Sequence, residues 1–96
     1  MKELKETVAL MTSADYKERF AAEYYQLETR YLKLRNMCKK WDNKVLEFTP
    51  TCSRLTYEKQ LVVMEHYLTV LIERAKVEDV MIAIDSEIEE LIPNIF

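Results

Sequence analysis

The 96-residue chain contains no glycine and only two prolines. Glycine is the residue that reaches positive φ without strain, so its absence removes the usual material for two-residue hairpin turns and for phosphate-cradling loops. What remains is dominated by Leu, Glu, Lys, Met and Ala, residues that lose little freedom in a helix. With 49% hydrophobic and 32% charged residues, the composition is that of one small globular domain. The expected fold class is all-α.

Periodicity divides the chain. Leu4, Val8 and Met11 recur at steps of four and three and predict a short amphipathic helix over residues 1–12. Ser13, with Asp15 in the first turn, is the expected cap of a helix over about 14–45. Its apolar positions Phe20, Tyr24, Leu27, Tyr31, Leu34, Cys38 and Trp41 alternate by four and three, and a second stripe, Ala21, Tyr25 and Leu32, widens the face. Pro50 favours an extended Thr49, so 46–53 reads as a connection, with Thr51 or Ser53 capping the next helix.

That last helix, over about 54–91, carries two seams. Tyr57, Leu61, Met64, Leu68, Leu71, Ala75 and Ile82 form one, and Val63, Tyr67, Val70, Val77, Met81, Ile84, Ile88 and Leu91 the other. The layout is thus a short helix (1–12) and a long antiparallel helical hairpin (13–96). An unbroken helix over 54–91 would be about 55 Å long and would leave its second seam beyond the reach of its hairpin partner. Assembly into an oligomer through the Val63–Leu91 seam is therefore expected, with Pro93 ending the helix and Ile92, Ile95 and Phe96 forming an apolar tail.

Several function classes receive no support. No stretch has the roughly 18 apolar residues of a membrane span, and MKELKETVALM is too charged for a signal peptide, so a cytoplasmic protein is expected. Cys38 and Cys52 are expected to be reduced, Cys38 as a small core residue. The single histidine, His66, is expected to face solvent, and Asp85, Glu87, Glu89 and Glu90 to form a solvated face. No nucleophile–base pair, cofactor motif or metal-ligand spacing is present, which argues against an enzyme.

Charge is more informative when divided. Residues 30–59 hold eight Lys/Arg against three acids, a local +5, whereas the rest of the chain carries −8. At the hairpin tip, Lys39, Lys40 and Arg54 are candidate phosphate holders and Trp41 and Tyr57 candidate stacking surfaces, near a helix N-terminus that favours anions. A nucleotide-sized ligand fits this chemistry, and an acidic protein is unsuited to duplex nucleic acid. Equally, the basic tip could meet the acidic Asp85–Glu90 end of another subunit, and Trp41 and Tyr57 could be core residues.

The stretches DYKERFAAEYYQLETRYLKLRNM, LEFTPTC and QLVVMEHYLTVLIERA resemble small uncharacterised proteins of crAss-like and other tailed phages and prophages, over about residues 15–75. This resemblance implies a phage protein acting in the host bacterial cytoplasm. In size and hairpin layout the chain is also similar to phage anti-CBASS and anti-Thoeris sponges. These are oligomers that withhold cyclic oligonucleotide or cyclic ADP-ribose signals from immune effectors, without catalysis or cofactor. The alternatives are a helical protein that docks onto and inhibits a host protein, and a structural component of the virion or its assembly.

Overall fold

A computed structural model describes residues 1–92. The predicted terminator Pro93 and the tail residues Ile95 and Phe96 lie outside the described residues. Along the chain come a 3-10 turn, Leu4–Thr7, and four α-helices: α1 (Val8–Met11), α2 (Tyr16–Asp42), α3 (Arg54–Val77) and α4 (Ser86–Leu91). All regular structure among the described residues is helical, as expected. The two long helices pack together as the predicted hairpin.

Helix α2 is organised by its doubled apolar face. Phe20, Tyr24, Tyr31 and Cys38 of the main seam are buried, and so are Ala21, Tyr25 and Leu32 of the second stripe. Its cap is Asp15, whose carboxylate accepts the Lys17 N–H at 2.9 Å. Ser13, the expected cap, instead accepts the Asp15 N–H at 3.0 Å and so orients the capping residue. Ser53 caps α3, accepting from the Thr56 N–H. From there Leu61, Leu68, Leu71, Ile72 and Ala75 face α2 and are buried.

Both long helices stop in the same way, with a non-glycine residue in the left-handed region. After α2, Lys44 has φ 62° and the Val45 N–H reaches back to the Lys40 carbonyl at 2.9 Å; after α3, Asp79 has φ 57° and the Val80 N–H reaches the Ala75 carbonyl at 2.9 Å. This is the helix stop that glycine ordinarily makes. A chain without glycine makes it at a conformational cost.

The second stop corrects the expected 54–91 helix. Val77 is the last residue of α3, and residues 80–85 carry no regular secondary structure before α4 begins at Ser86. The physical reason is the length of the partner. A straight helix would carry residues 78–92 past α2, which is only about 40 Å long, and strand their apolar side chains. Reversing at Asp79 lays them on the second stripe of α2 instead. Val80 and Ile88 become buried, with Ile82, Ile84, Leu91 and Ile92 packed around them. The β-branched Val77, Val80, Ile82 and Ile84 also favour extended backbone over helix. The molecule accordingly measures 43 × 30 × 20 Å and is not the long rod the sequence suggested.

Two polar groups on α2 hold this returning segment. The Tyr25 hydroxyl accepts the Ala83 N–H at 2.8 Å, and the Glu28 carboxylate accepts the Asp85 N–H at 3.0 Å and the Tyr24 hydroxyl at 2.6 Å. Glu28 is only 1% exposed. Its two donors are what make a buried carboxylate tolerable there.

At the other end of the chain, the 3-10 turn sets the phase. Three residues per turn bring Leu4, Thr7 and Leu10 into line, so Thr7 is buried and Leu10 packs on the core while Val8 and Met11 are exposed. Of the expected apolar face Leu4, Val8 and Met11, Leu4 is half-buried, while Val8 and Met11 are corrected to exposed positions. The segment lies across α2, with the Gln26 amide donating to the Thr7 hydroxyl at 2.9 Å and the Thr29 hydroxyl donating to the Lys2 carbonyl.

Candidate functional site

The hairpin tip is built by the last turn of α2 and the first turn of α3. Arg54 joins them. Its Nε and Nη2 donate to the two carboxylate oxygens of Asp42 at 3.0 and 3.2 Å, and its Nη1 donates to Glu58 at 2.9 Å. These bonds hold the Asp42 carboxyl below the usual carboxylate range and, from Asp42 first and then Glu58, raise the affinity of the guanidinium for its proton. Three of its five N–H donors are thus already committed to carboxylates. Trp41 and Tyr57 meet edge to face, with ring centroids 6.1 Å apart. Both are half-buried.

The five candidate residues do not line one cavity. Lys39 and Arg54 share a hollow of about 210 Å³ with Arg35, Asp42, Glu58 and Glu65, over a floor of Tyr31, Cys38 and Leu61. Lys40 lines a separate hollow of about 350 Å³ beside Val45 and Phe48, and Trp41 one of about 290 Å³ with Lys44, Phe48 and Pro50. Burial pushes the Tyr31 hydroxyl up to about 12 and raises the Cys38 thiol, so both stay protonated beneath the first hollow. The acidic segment does approach the basic tip, but within one chain: Arg35 pairs with Glu87 of α4 at 3.3 Å.

A larger cavity lies at the opposite end of α2. About 560 Å³ in volume, it is bounded by Lys2 and Leu10 on one side, Asp79, Val80 and Met81 on the other, and Lys17, Glu18, Ala21 and Tyr25 of α2 beneath. The turn at Asp79 and the crossing N-terminal segment together create it. The Lys2 ammonium stands 5.0 Å from the centroid of the Tyr25 ring, and the Lys17 ammonium donates to the Asp79 carbonyl at 2.9 Å. Met81 is 91% exposed on its wall. The apolar residues and aromatic floor suit a flat ring system, and the two ammonium groups, which share the lining with the carboxylates of Glu18 and Asp79, offer contacts to a phosphate or carboxylate. The volume falls within the roughly 300–1,000 Å³ of small-molecule sites, whereas the Lys39–Arg54 hollow falls below it.

Sequence reasoning missed this cavity because it depends on two chain reversals. A signal was present in Val80-Met81-Ile82-Ala83-Ile84, whose inside–outside alternation is the period of extended backbone. His66 is exposed, as expected, and Cys38 and Cys52 are free thiols, the first buried and the second exposed. Among the described residues no group of three or more His, Cys, Asp or Glu could hold a metal ion, and no helix is long and apolar enough to cross a membrane.

The family model described as Sequestin matches residues 14–77, which span α2, the tip and α3. No curated protein and no solved structure matches the chain.

Proposed function

This chain belongs to the Sequestin family, and on that premise we propose that it binds and withholds a small phosphate-bearing ligand without transforming it. The family name points to sequestration and to a binding role. The observation that carries the reading is the 560 Å³ cavity with its apolar walls, the Tyr25 ring and the ammonium groups of Lys2 and Lys17. The ligand class we assign is a cyclic nucleotide immune signal, a cyclic oligonucleotide or a cyclic ADP-ribose. The setting is a phage protein opposing defence in the host bacterial cytoplasm, as the phage-like sequence suggests.

A second location has its own support. Lys39, Lys40, Trp41, Arg54 and Tyr57 all fall inside the segment that the family model matches, whereas Lys2, Leu10 and residues 79–81 fall outside it. In this alternative Lys39, Lys40 and Arg54 hold phosphates at the tip and Trp41 and Tyr57 pack against bases, which requires Arg54 to exchange a carboxylate for the ligand.

Calorimetry against a panel of cyclic di- and trinucleotides and cyclic ADP-ribose isomers tests the function. The exposed substitutions Lys17→Ala and Met81→Asp should weaken binding about tenfold or more, and Lys39→Ala with Lys40→Ala should leave it unchanged. The reverse pattern moves the site to the tip. Absence of heat with every ligand rejects the nucleotide reading and favours direct docking onto a host protein.

A further inference from the structure

Among the described residues, the outward face of α3 carries an exposed stripe with an internal symmetry, bordered at Val62 and His66 by a hollow that Ile92 also lines. At 3.6 residues per turn, Leu55, Lys59, Val62, His66, Val70, Glu73 and Val77 fall within an arc of about 80°. That arc lies diametrically opposite the buried Leu61–Leu68–Leu71–Ala75 side. All seven are exposed, Leu55 at 64% and Val77 at 86%. Read outward from His66, the stripe is self-complementary. Val62 and Val70 lie four residues to either side, Lys59 and Glu73 seven, and Leu55 and Val77 eleven.

We propose that a second copy of this chain packs antiparallel on this face, with the twofold axis passing at His66. In an antiparallel helix pair each residue meets the one equally far on the other side of the axis. Val62 then meets Val70 of the second copy, Leu55 meets Val77, and Lys59 meets Glu73, twice over by symmetry. The charge match selects this occupant. A parallel copy sets Lys59 against Lys59 and Glu73 against Glu73, and an antiparallel copy shifted by a turn moves both charges onto uncharged residues, so either loses both ion pairs. Among the described residues neither Lys59 nor Glu73 forms an ion pair within its own chain. Val63 at 67% exposure and the Tyr67 ring at 44% flank the stripe and widen the contact. A contact one helix wide and about 33 Å long is in the small-interface class, so association in the micromolar range is expected.

The expected interface differs from the one predicted by sequence, because Ile84, Ile88 and Leu91 of that seam turn into their own chain, while its α3 half and the exposed Met81 stay outside. The proposal stands independently of the ligand reading. It is tested by sedimentation equilibrium across the micromolar range with charge-exchange variants. Lys59→Glu and Glu73→Lys should each weaken dimerisation by about tenfold or more, and the double exchange should restore it to within about threefold of the parent. In a Cys52→Ser background, oxidised His66→Cys should form a disulfide-linked dimer, while Gln60→Cys, exposed on the flank, should not. A monomer throughout the concentration range, or a double exchange no better than the singles, overturns the proposal.

Discussion

Glu28 shows how much of this fold hangs on single side chains. It lies in the middle of α2 at a position whose sequence context suggests a surface acid, yet it is buried and receives both the Tyr24 hydroxyl and the Asp85 N–H. Truncating it strands two buried donors, each costing about 1–3 kcal/mol. Glu28→Ala should therefore lower the urea midpoint by the equivalent of about 2–4 kcal/mol, with Glu28→Gln less damaging because its amide oxygen still accepts. Lys44 makes the opposite case. Its positive φ is a position at which glycine relieves steric cost. Lys44→Gly should raise stability by up to about 1 kcal/mol, seen as a melting temperature several degrees higher. The burial of Glu28 could not be read from the sequence, since an acid on a helix is ordinarily solvated and its partners lie 57 residues away in the case of Asp85.

Among the elements, the hairpin was legible and the return was not. Phe20 to Trp41 and Tyr57 to Ala75 repeat at helical spacing over many turns, and those turns are the ones that pack. The reversal at Asp79 carries no glycine or proline to announce it. Val77, Met81, Ile84, Ile88 and Leu91 also happen to continue the helical spacing of α3, so the local pattern favoured a continuous helix. What decided otherwise was tertiary: the second stripe of α2 needed a cover, and residues 80–92 supply it. The candidate site suffered the same way. Its α2 floor, Ala21 and Tyr25, was visible as a second stripe, but its two walls come from chain crossings that periodicity does not report. Ile88→Asp separates these accounts. With Ile88 at 0% exposure against its own chain, the substitution should cost about 3 kcal/mol or more by burying an unpaired charge. Thermal melting should report that loss, and a variant of parent stability would place Ile88 outside the core.

At the scale of the whole molecule, stability should depend on pH at both extremes. Asp85 is held below the usual carboxylate range by its bond from the Glu87 N–H, helped by the terminal ammonium of Met1, and Asp42 by Arg54. Carboxylates with depressed values stabilise the fold above about pH 4 and lose that contribution as pH falls through the native value. Tyr31, pushed up to about 12 by burial, and Tyr24, raised further by burial and Glu28, act oppositely. Their contribution is intact below about pH 10, where an unfolded tyrosine begins to ionise, and is lost as pH rises toward the native value. Urea titrations should show a broad plateau that falls away below about pH 4 and above about pH 10. A midpoint that declines steadily across neutral pH contradicts these assignments.

The same molecule presents a basic tip, an acidic returning segment and a cavity walled by both chain crossings. Under the proposed sequestering function a ligand enters and leaves unchanged. The most direct test is to incubate the protein with each cyclic nucleotide, isolate the complex by gel filtration, denature it and identify what is released. Recovery of the intact ligand, retained by the parent and lost with Lys17→Ala and Met81→Asp, is the predicted result. Release of a hydrolysed product, or retention that survives both substitutions, contradicts the account.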